Sequence, residues 1–172
     1  MMSAADVITR AELAMPRRLR ALVQRPVQGA PVRVMRFDFH PTSEGWAVSE
    51  VNSDVPGGFA EASALAQLAA KYVDGARPGG DAAGALAAGM LARVGAGGRI
   101  ALVHATAYSD DRQVMQYLAN RLTEAGFACV LAAPDHMRWE SGRAVSVAEG
   151  AAGPVDGIVR FFPAEWMPQL PA

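Results

Sequence analysis

One segment of the chain gathers side chains that can bind a metal ion and a phosphate. Residues 36–54 read RFDFHPTSEGWAVSEVNSD, with Arg36, Asp38, Glu50 and Asn52 among apolar neighbours. Carboxylate and amide oxygens suit Mg²⁺, which keeps several waters and is often completed by substrate phosphates. A guanidinium beside them can pair with the anion that the metal carries. These residue types therefore indicate metal-assisted phosphate chemistry.

Two strands are predicted to present these side chains. Residues 32–40 alternate between apolar and polar types, residues 46–52 are predicted as the second strand, and PTSEG supplies turn residues between them. Residues two apart in a strand share a face. On the first strand that face carries Arg36, Asp38 and His40. On the second strand the same rule predicts a shared face for Trp46, Val48, Glu50 and Asn52.

Pairing as a hairpin centred on Glu44 would set Asp38 opposite Glu50 and Arg36 opposite Asn52. Two carboxylates at that separation repel each other unless a proton or a cation lies between them. A hard cation at Asp38 and Glu50 is one interpretation. The other is an ordinary solvated hairpin face, because charged faces on hairpins are common, and the pattern alone leaves both open.

The rest of the chain predicts an α/β fold with a partly parallel sheet and flanking helices. The elements, in order, are helices over 59–75 and 81–93, a strand over 99–105, a helix from Asp110 or Asp111 to Ala125, a strand over 127–133, a hairpin over 137–147 and a strand over 155–163. Asp81 is predicted to cap the second helix, and Gly95–Gly98 to end it. The predicted buried face of the first helix is Phe59, Ala62, Ala66, Ala69 and Val73. That of the third helix is Val114, Leu118, Leu122 and Ala125.

Composition excludes several classes of protein. The 172 residues carry a net charge of −1 with both signs scattered, which argues against nucleic-acid binding. No run of about 18 apolar residues exists, so no membrane span is expected. Cys129 is the one cysteine, so a disulfide framework is excluded and a reducing cytoplasm is the expected location. Pro26 and Pro31 bound a linker that separates a helical arm (1–30) from the main domain (31–172).

Three ordered segments resemble glutathionylspermidine synthases and related ATP-grasp C–N ligases. RFDF followed by EVNSDVPGGFAEA matches an Arg-Phe-Asp-Phe strand that leads to Glu-x-Asn-x-Asp-x-Pro and a helix carrying a Glu. DDRQVMQYLANRLTEAG (110–126) is similar to the family's acidic helix start and its Ala-Gly end. VRFFPAEWM (159–167) resembles a strand ending in Pro-x-Glu-Trp-Met.

The resemblance implies a Rossmann-like preATP-grasp domain whose β-hairpin carries the site. It implies Mg²⁺ ligands at Asp38, Glu50 and Asn52, and an Arg36 that steadies the transition state of acyl-phosphate formation. It implies ATP contacts at Arg36, Phe37 and Asp38. It also implies substrate-binding positions at Arg36, Val55, Gly57, Gly58, Glu61, Asp110 and Asp111. Of these, the Pro56–Gly58 turn would lie near the acid, and the two aspartates would hold the amine. A simple helix N-cap is the alternative role for the two aspartates.

The family's nucleotide-clamping ATP-grasp part follows the Glu-Trp-Met segment, and the sequence printed here stops at Ala172. We therefore expect a ligase that needs an ATP-grasp companion chain or associates with itself. An exposed apolar cluster is predicted at Phe161, Phe162, Trp166 and Met167. Gly57 and Gly58 stand where the family often has Ser or Thr. A non-catalytic module binding metal, polyamine or peptide, or a structural remnant, are the alternatives.

Overall fold

A computed structural model of the protein describes residues 33–169. The described residues up to Pro163 belong to one compact unit, and Ala164–Gln169, a short 3₁₀ helix, belong to a second. The predicted arm over residues 1–30 lies outside the described residues.

The described residues form a mixed α/β fold, as predicted. The strands are β1 (Arg36–Thr42), β2 (Gly45–Asn52), β3 (Arg99–His104), β4 (Ala128–Ala132), β5 (Met137–Glu140), β6 (Arg143–Ser146), β7 (Gly153–Pro154) and β8 (Gly157–Phe161). The helices are α1 (Ala66–Ala69), α2 (Ala82–Val94) and α3 (Ser109–Glu124), with a π-helical turn at Glu61–Leu65 and a 3₁₀ turn at Pro134–His136.

A parallel sheet forms the centre of the larger unit. Its strand order is β4-β3-β8, and both neighbours run parallel to β3. The predicted β-α-β unit is confirmed, because α3 connects β3 to β4. Ile100 and Leu102 of β3 are fully buried, and they belong to one core with Leu86 and Met90 of α2 and with Leu118 of α3.

Two antiparallel sheets accompany the parallel sheet: one precedes it in the sequence, and the other is inserted between β4 and β8. β1 and β2 form a two-stranded hairpin, as predicted. β5, β6 and β7 form a three-stranded sheet, of which β7 was not predicted. The predicted Ser-Gly tip of the second hairpin is confirmed, since Ser141 and Gly142 both have positive φ, the conformation that two-residue hairpin turns require.

The helix that follows the first hairpin is shorter than predicted. Helical backbone begins at Phe59 and regular α-helix ends at Ala69. Phe59 and Ser63 are buried there, whereas Val73, a predicted core residue, is exposed. Ala62 and Ala69 are exposed as well. Alanine offers little apolar area to bury, so alanines at helical spacing did not define the buried face.

The third helix begins at Ser109, one or two residues earlier than predicted, and packs a slightly different face against the core. Its buried residues are Met115, Leu118, Ala119 and Leu122, while Val114 and Ala125 are half-buried. Leu118 and Leu122 of the predicted face are therefore confirmed. Gly126, with a φ of +93°, ends the helix as predicted.

The predicted apolar cluster near residue 165 is not exposed as a whole. Phe161 and Phe162 are buried, so the prediction is wrong for these two residues. Trp166 and Met167, in the second unit, are exposed. In the part of the chain that the structure describes, no helix is long and apolar enough to cross a membrane.

Asp81 links three helical segments. Its carboxylate accepts a hydrogen bond from the Gly84 N–H at 2.9 Å, which confirms the predicted N-cap of α2, and it forms an ion pair with Arg121 of α3. The Ser63 hydroxyl accepts a hydrogen bond from the Ala83 N–H at 3.0 Å. The hydrogen bond from Gly84 lowers the pKa of Asp81, with smaller contributions from Ser63 and Arg121.

We expect Asp81→Ala to lower the free energy of unfolding by about 1 kcal/mol, the usual loss for a helix N-cap. A carboxyl whose folded pKa is lowered stabilises the fold above its ordinary pKa, and this contribution is lost as pH falls through the lowered value. The difference from wild type should therefore persist at neutral pH and shrink below about pH 4 in urea unfolding. Asp81→Asn keeps the cap and is the control. Equal losses for both variants at pH 7 would contradict the capping role.

Candidate functional site

The first hairpin brings the four predicted site residues onto one face. Arg36 is the cross-strand partner of Asn52, and Asp38 is the partner of Glu50, which is the predicted register. Directly opposite side chains in an antiparallel pair have Cβ atoms about 4.5–5.5 Å apart. Two carboxylates, an amide and a guanidinium thus occupy two adjacent cross-strand positions.

Arg36 already supplies a cation to this face. Its Nε donates to Asp38 Oδ1 at 2.8 Å and its Nη2 donates to Asp38 Oδ2 at 3.1 Å, a two-bond ion pair within one strand. The hydrogen bond to Asp38 raises the pKa of Arg36, and the charges of Asp38 and Glu50 add to that effect. The repulsion expected between Asp38 and Glu50 is therefore relieved by a guanidinium, without a metal ion.

A β-bulge at Ser49 divides the hairpin into two registers. Asp38 pairs with Glu50, but Phe39 pairs with Val48, so Ser49 is the extra residue of β2. Its hydroxyl donates to the Asp38 carbonyl at 3.0 Å. The predicted shared face of β2 is wrong for this reason: Trp46 and Val48 lie opposite Pro41 and Phe39, on the face away from Arg36.

That second face of the hairpin is apolar and exposed. The rings of Phe37 and Phe39 stack with centroids 6.4 Å apart, and both side chains are about half exposed. Trp46 is 75% exposed. We call this surface the aromatic face; its residues are Phe37, Phe39, Trp46, Val48 and Val51. A hairpin with one charged and one aromatic face presents two different surfaces within the described residues.

The hairpin meets the helical segment at a cavity of about 230 Å³. We call it the hairpin–helix cavity, and its lining includes Arg36, Phe37, Gly57, Gly58, Ala62 and Ala82. Gly58 has a φ of +88°, a conformation that glycine adopts without strain, and the Ala62 N–H donates to its carbonyl as helical backbone begins. Four predicted ATP or substrate positions, Arg36, Phe37, Gly57 and Gly58, therefore share one cavity.

Val55 lies on a neighbouring cleft of about 260 Å³. We call it the β8 cleft, and its lining includes Arg33, Val55, Leu86, Met90, Arg160 and Phe161. Val34, Pro56 and Phe59 line both cavities. Glu61 is exposed at the start of the π-helical turn and lines neither of them.

Asp110 and Asp111 lie in the first turn of α3, after the carboxyl end of β3. The predicted capping role is wrong, because Tyr108 occupies the N-cap position and makes no side-chain capping bond. Asp110 accepts a hydrogen bond from the Ser109 hydroxyl at 3.2 Å. Both acids still lie where the helix dipole favours negative charge. They line neither the hairpin–helix cavity nor the β8 cleft.

Sequence reasoning missed the ion pair between Asp54 and Arg160. Asp54 follows β2 directly, and Arg160 lies near the end of β8, 106 residues later. The Arg160 guanidinium also donates to the Phe162 carbonyl and lies 5.6 Å from the Phe162 ring centroid. Asp54 is the last residue of the segment 36–54, but no pattern near it in the sequence indicates that its partner is Arg160.

His104, at the end of β3, is buried. Its Nδ1 lies 3.5 Å from the Leu102 carbonyl, and its Nε2 has no hydrogen-bond partner among the described residues.

The face of the hairpin that carries Asp38, Glu50 and Asn52 offers oxygen ligands, the kind that a hard cation prefers. These protein ligands are few. Asp38, Glu50 and Asn52 offer carboxylate and amide oxygens, and Mg²⁺ sites commonly use one or two carboxylates with waters and phosphates. No group of three or more His, Cys, Asp or Glu suited to a metal ion occurs in the described residues. A metal would have to compete with Arg36 for Asp38.

No protein-family model matches the chain, and a search of curated proteins found no significant match.

We expect Arg36→Met to raise the affinity of the protein for free Mn²⁺ several-fold. The substitution removes the guanidinium that pairs with both oxygens of Asp38. The carboxylates of Asp38 and Glu50 then repel each other unless another cation binds between them. Electron paramagnetic resonance can measure free Mn²⁺ during a titration. Arg143→Met, at an exposed arginine of β6, is the control. Unchanged Mn²⁺ affinity in Arg36→Met would show that Asp38 does not reach the metal.

Proposed function

We propose that the chain is part of an ATP-dependent C–N ligase similar to glutathionylspermidine synthases. It would supply the Mg²⁺, acyl-phosphate and substrate side of the site within a Rossmann-like preATP-grasp domain. The supporting observation is the hairpin register, which sets Asp38 opposite Glu50 and Arg36 opposite Asn52 beside the hairpin–helix cavity. The parallel order β4-β3-β8 and the β3-α3-β4 unit agree with the proposed fold.

In this proposal the acid's carboxylate oxygen attacks the terminal phosphorus of ATP, which forms an acyl phosphate and releases ADP. The amine then attacks the acyl carbon, loses a proton and displaces phosphate. A bound Mg²⁺ would neutralise negative charge on the phosphates. Asp38, Glu50 and Asn52 would hold it through oxygen atoms. Arg36 would turn its donors from Asp38 to the transferring phosphoryl group, where charge-assisted hydrogen bonds are strongest.

The proposed substrate positions fall at two places. Gly57 and Gly58, on the hairpin–helix cavity beside Arg36, would border the acid; Val55 and Glu61 stand at either end of that turn. Asp110 and Asp111 would attract the amine at the carboxyl end of β3, the edge where ligands collect in α/β sheets. Both acids carry the charge that a polyamine needs.

A partner is part of the proposal. The nucleotide would be held by an ATP-grasp companion chain or by a second copy, and the exposed aromatic face is an apolar surface of the type found at interfaces. The free thiol of Cys129 agrees with a cytoplasmic protein, where thiols stay reduced.

The metal site is tested by binding of Mn²⁺ in the presence of pyrophosphate. We expect pyrophosphate to tighten Mn²⁺ binding to wild type, because phosphate oxygens complete the coordination. Asp38→Ala and Glu50→Gln should lose this enhancement, whereas Glu44→Gln, in the turn of the same hairpin, should keep it. Identical titrations for wild type and Asp38→Ala would refute the metal site and with it the ligase proposal.

A second candidate is a module that binds metal, polyamine or peptide without turnover. The observation that favours it is the ion pair between Arg36 and Asp38, which offsets one of the two carboxylate charges of the site with a side chain of the chain itself. Detection of ATP-dependent amide formation on adding a companion chain would support the ligase. Ligand binding with no turnover in any combination would support the module.

We expect spermidine to bind near the start of α3 and to bind several-fold more weakly in Asp111→Asn. The attraction is between charges close to the protein surface, so it should fall as salt is raised. Calorimetry at two salt concentrations measures both effects, with Asp74→Asn, at an exposed acid, as the control. Equal spermidine affinity in wild type and Asp111→Asn would remove the amine site.

A further inference from the structure

The β8 cleft has the features of a small-ligand pocket in its own right. Its walls are the segment at 53–56, strand β8 and one side of α2, and Leu86, Met90 and Phe161 of its lining are buried core residues. At about 260 Å³ it is slightly smaller than pockets for drug-sized molecules. A cavity of this volume with apolar walls suits a compact apolar group.

Among the described residues that line the cleft, the formal charges sum to +1. Arg33 and Arg160 are positive and Asp54 is negative, so the balance is two minus one. Arg160 is held by Asp54, by the Phe162 carbonyl and over the Phe162 ring, which fixes its guanidinium in place. Arg33 makes no hydrogen bond or ion pair to any other described residue. One cation therefore remains to meet a ligand.

We propose that the β8 cleft binds a small monoanion with an apolar body, of the kind represented by a short-chain carboxylate. A cation would meet a net positive lining. A dianion would bring one negative charge more than the lining can match, and burying an unpaired charge is costly. A neutral polar molecule would leave its polar groups against Leu86, Met90 and Phe161.

This cleft shares no residue with the proposed metal site, although Val55, a proposed substrate position of the ligase, lines it. The ligase proposal depends on Asp38, Glu50 and Asn52, none of which lines the β8 cleft. The two cavities share Val34, Pro56 and Phe59, so a ligand in one would border the other. Binding in the β8 cleft needs neither metal nor ATP.

The test is a titration of the full chain with hexanoate, followed by NMR of labelled methionine methyl groups. Met90 lines the cleft, whereas Met115 is buried in α3 and lies off the cleft lining. We expect the Met90 methyl signal to shift on saturation and the Met115 signal to stay in place. 1-Hexanol, which has the same number of carbon atoms and no charge, should bind more weakly than hexanoate.

The variant Arg33→Met tests the contribution of the Arg33 charge to binding separately from that of the apolar lining. An exposed ion pair contributes up to about 1 kcal/mol, so hexanoate affinity should fall by about three- to fivefold. Binding of 1-hexanol should not change. Arg77→Met, at an exposed arginine of the loop before α2, should leave both affinities as in wild type and is the matched control.

Three results would overturn the proposal: no hexanoate-dependent shift of Met90, equal affinity for hexanoate and 1-hexanol, or equal hexanoate affinity in wild type and Arg33→Met. The outcome is independent of the metal site. Hexanoate binding with no Mn²⁺ site would refute the ligase and keep this cleft, and the reverse result would keep the ligase and refute the cleft.

Discussion

The placement of Asp38 directly opposite Glu50 is the constraint around which the charged hairpin face is arranged. Two carboxylates on neighbouring strands are tolerated when a positive charge offsets their repulsion, and Arg36 provides it through two hydrogen bonds to Asp38. The same guanidinium borders the hairpin–helix cavity. In the proposed function, stability of the hairpin and reactivity of the site would depend on the same side chain, because Arg36 could not bind a phosphate and both oxygens of Asp38 at once.

The hairpin is tied to the parallel sheet by a second ion pair. Asp54 leaves the end of β2 and meets Arg160 of β8, so the segment from Val55 to Gly58 begins at a fixed point on the sheet. Gly58 then turns the chain into the helical segment. The turn thereby forms a wall of both the hairpin–helix cavity and the β8 cleft. Both proposed binding regions are organised by one short stretch of backbone.

Local patterns in the sequence predicted a large part of this arrangement. Alternation and turn residues gave the pairing of Arg36 with Asn52 and of Asp38 with Glu50, and capping chemistry gave Asp81. The bulge at Ser49 was not predictable, because one extra residue leaves the alternation on either side intact while reversing the face of Trp46 and Val48. The partners of Asp81 and Asp54 were missed because Arg121 and Arg160 lie far along the chain. The buried face of the helix predicted over 59–75 was wrong for another reason. Regular spacing of alanines does not indicate which side of a helix is buried, because alanine has little apolar area to bury.

The order β4-β3-β8 has a consequence for synthesis on the ribosome. Of the three parallel strands, the central strand β3 is synthesised first, and β4, its neighbour on one edge, follows after α3. The other edge pairs with β8, whose first partner, Gly157, lies 57 residues after Ile100 along the chain, because β5, β6 and β7 are made in between. Until then a strand rich in apolar residues keeps a row of unpaired backbone groups open, the kind of surface that other nascent chains can join. The topology thus sets the length of chain that must be made before the exposed edge of β3 is covered, the interval during which chaperones would protect the emerging chain.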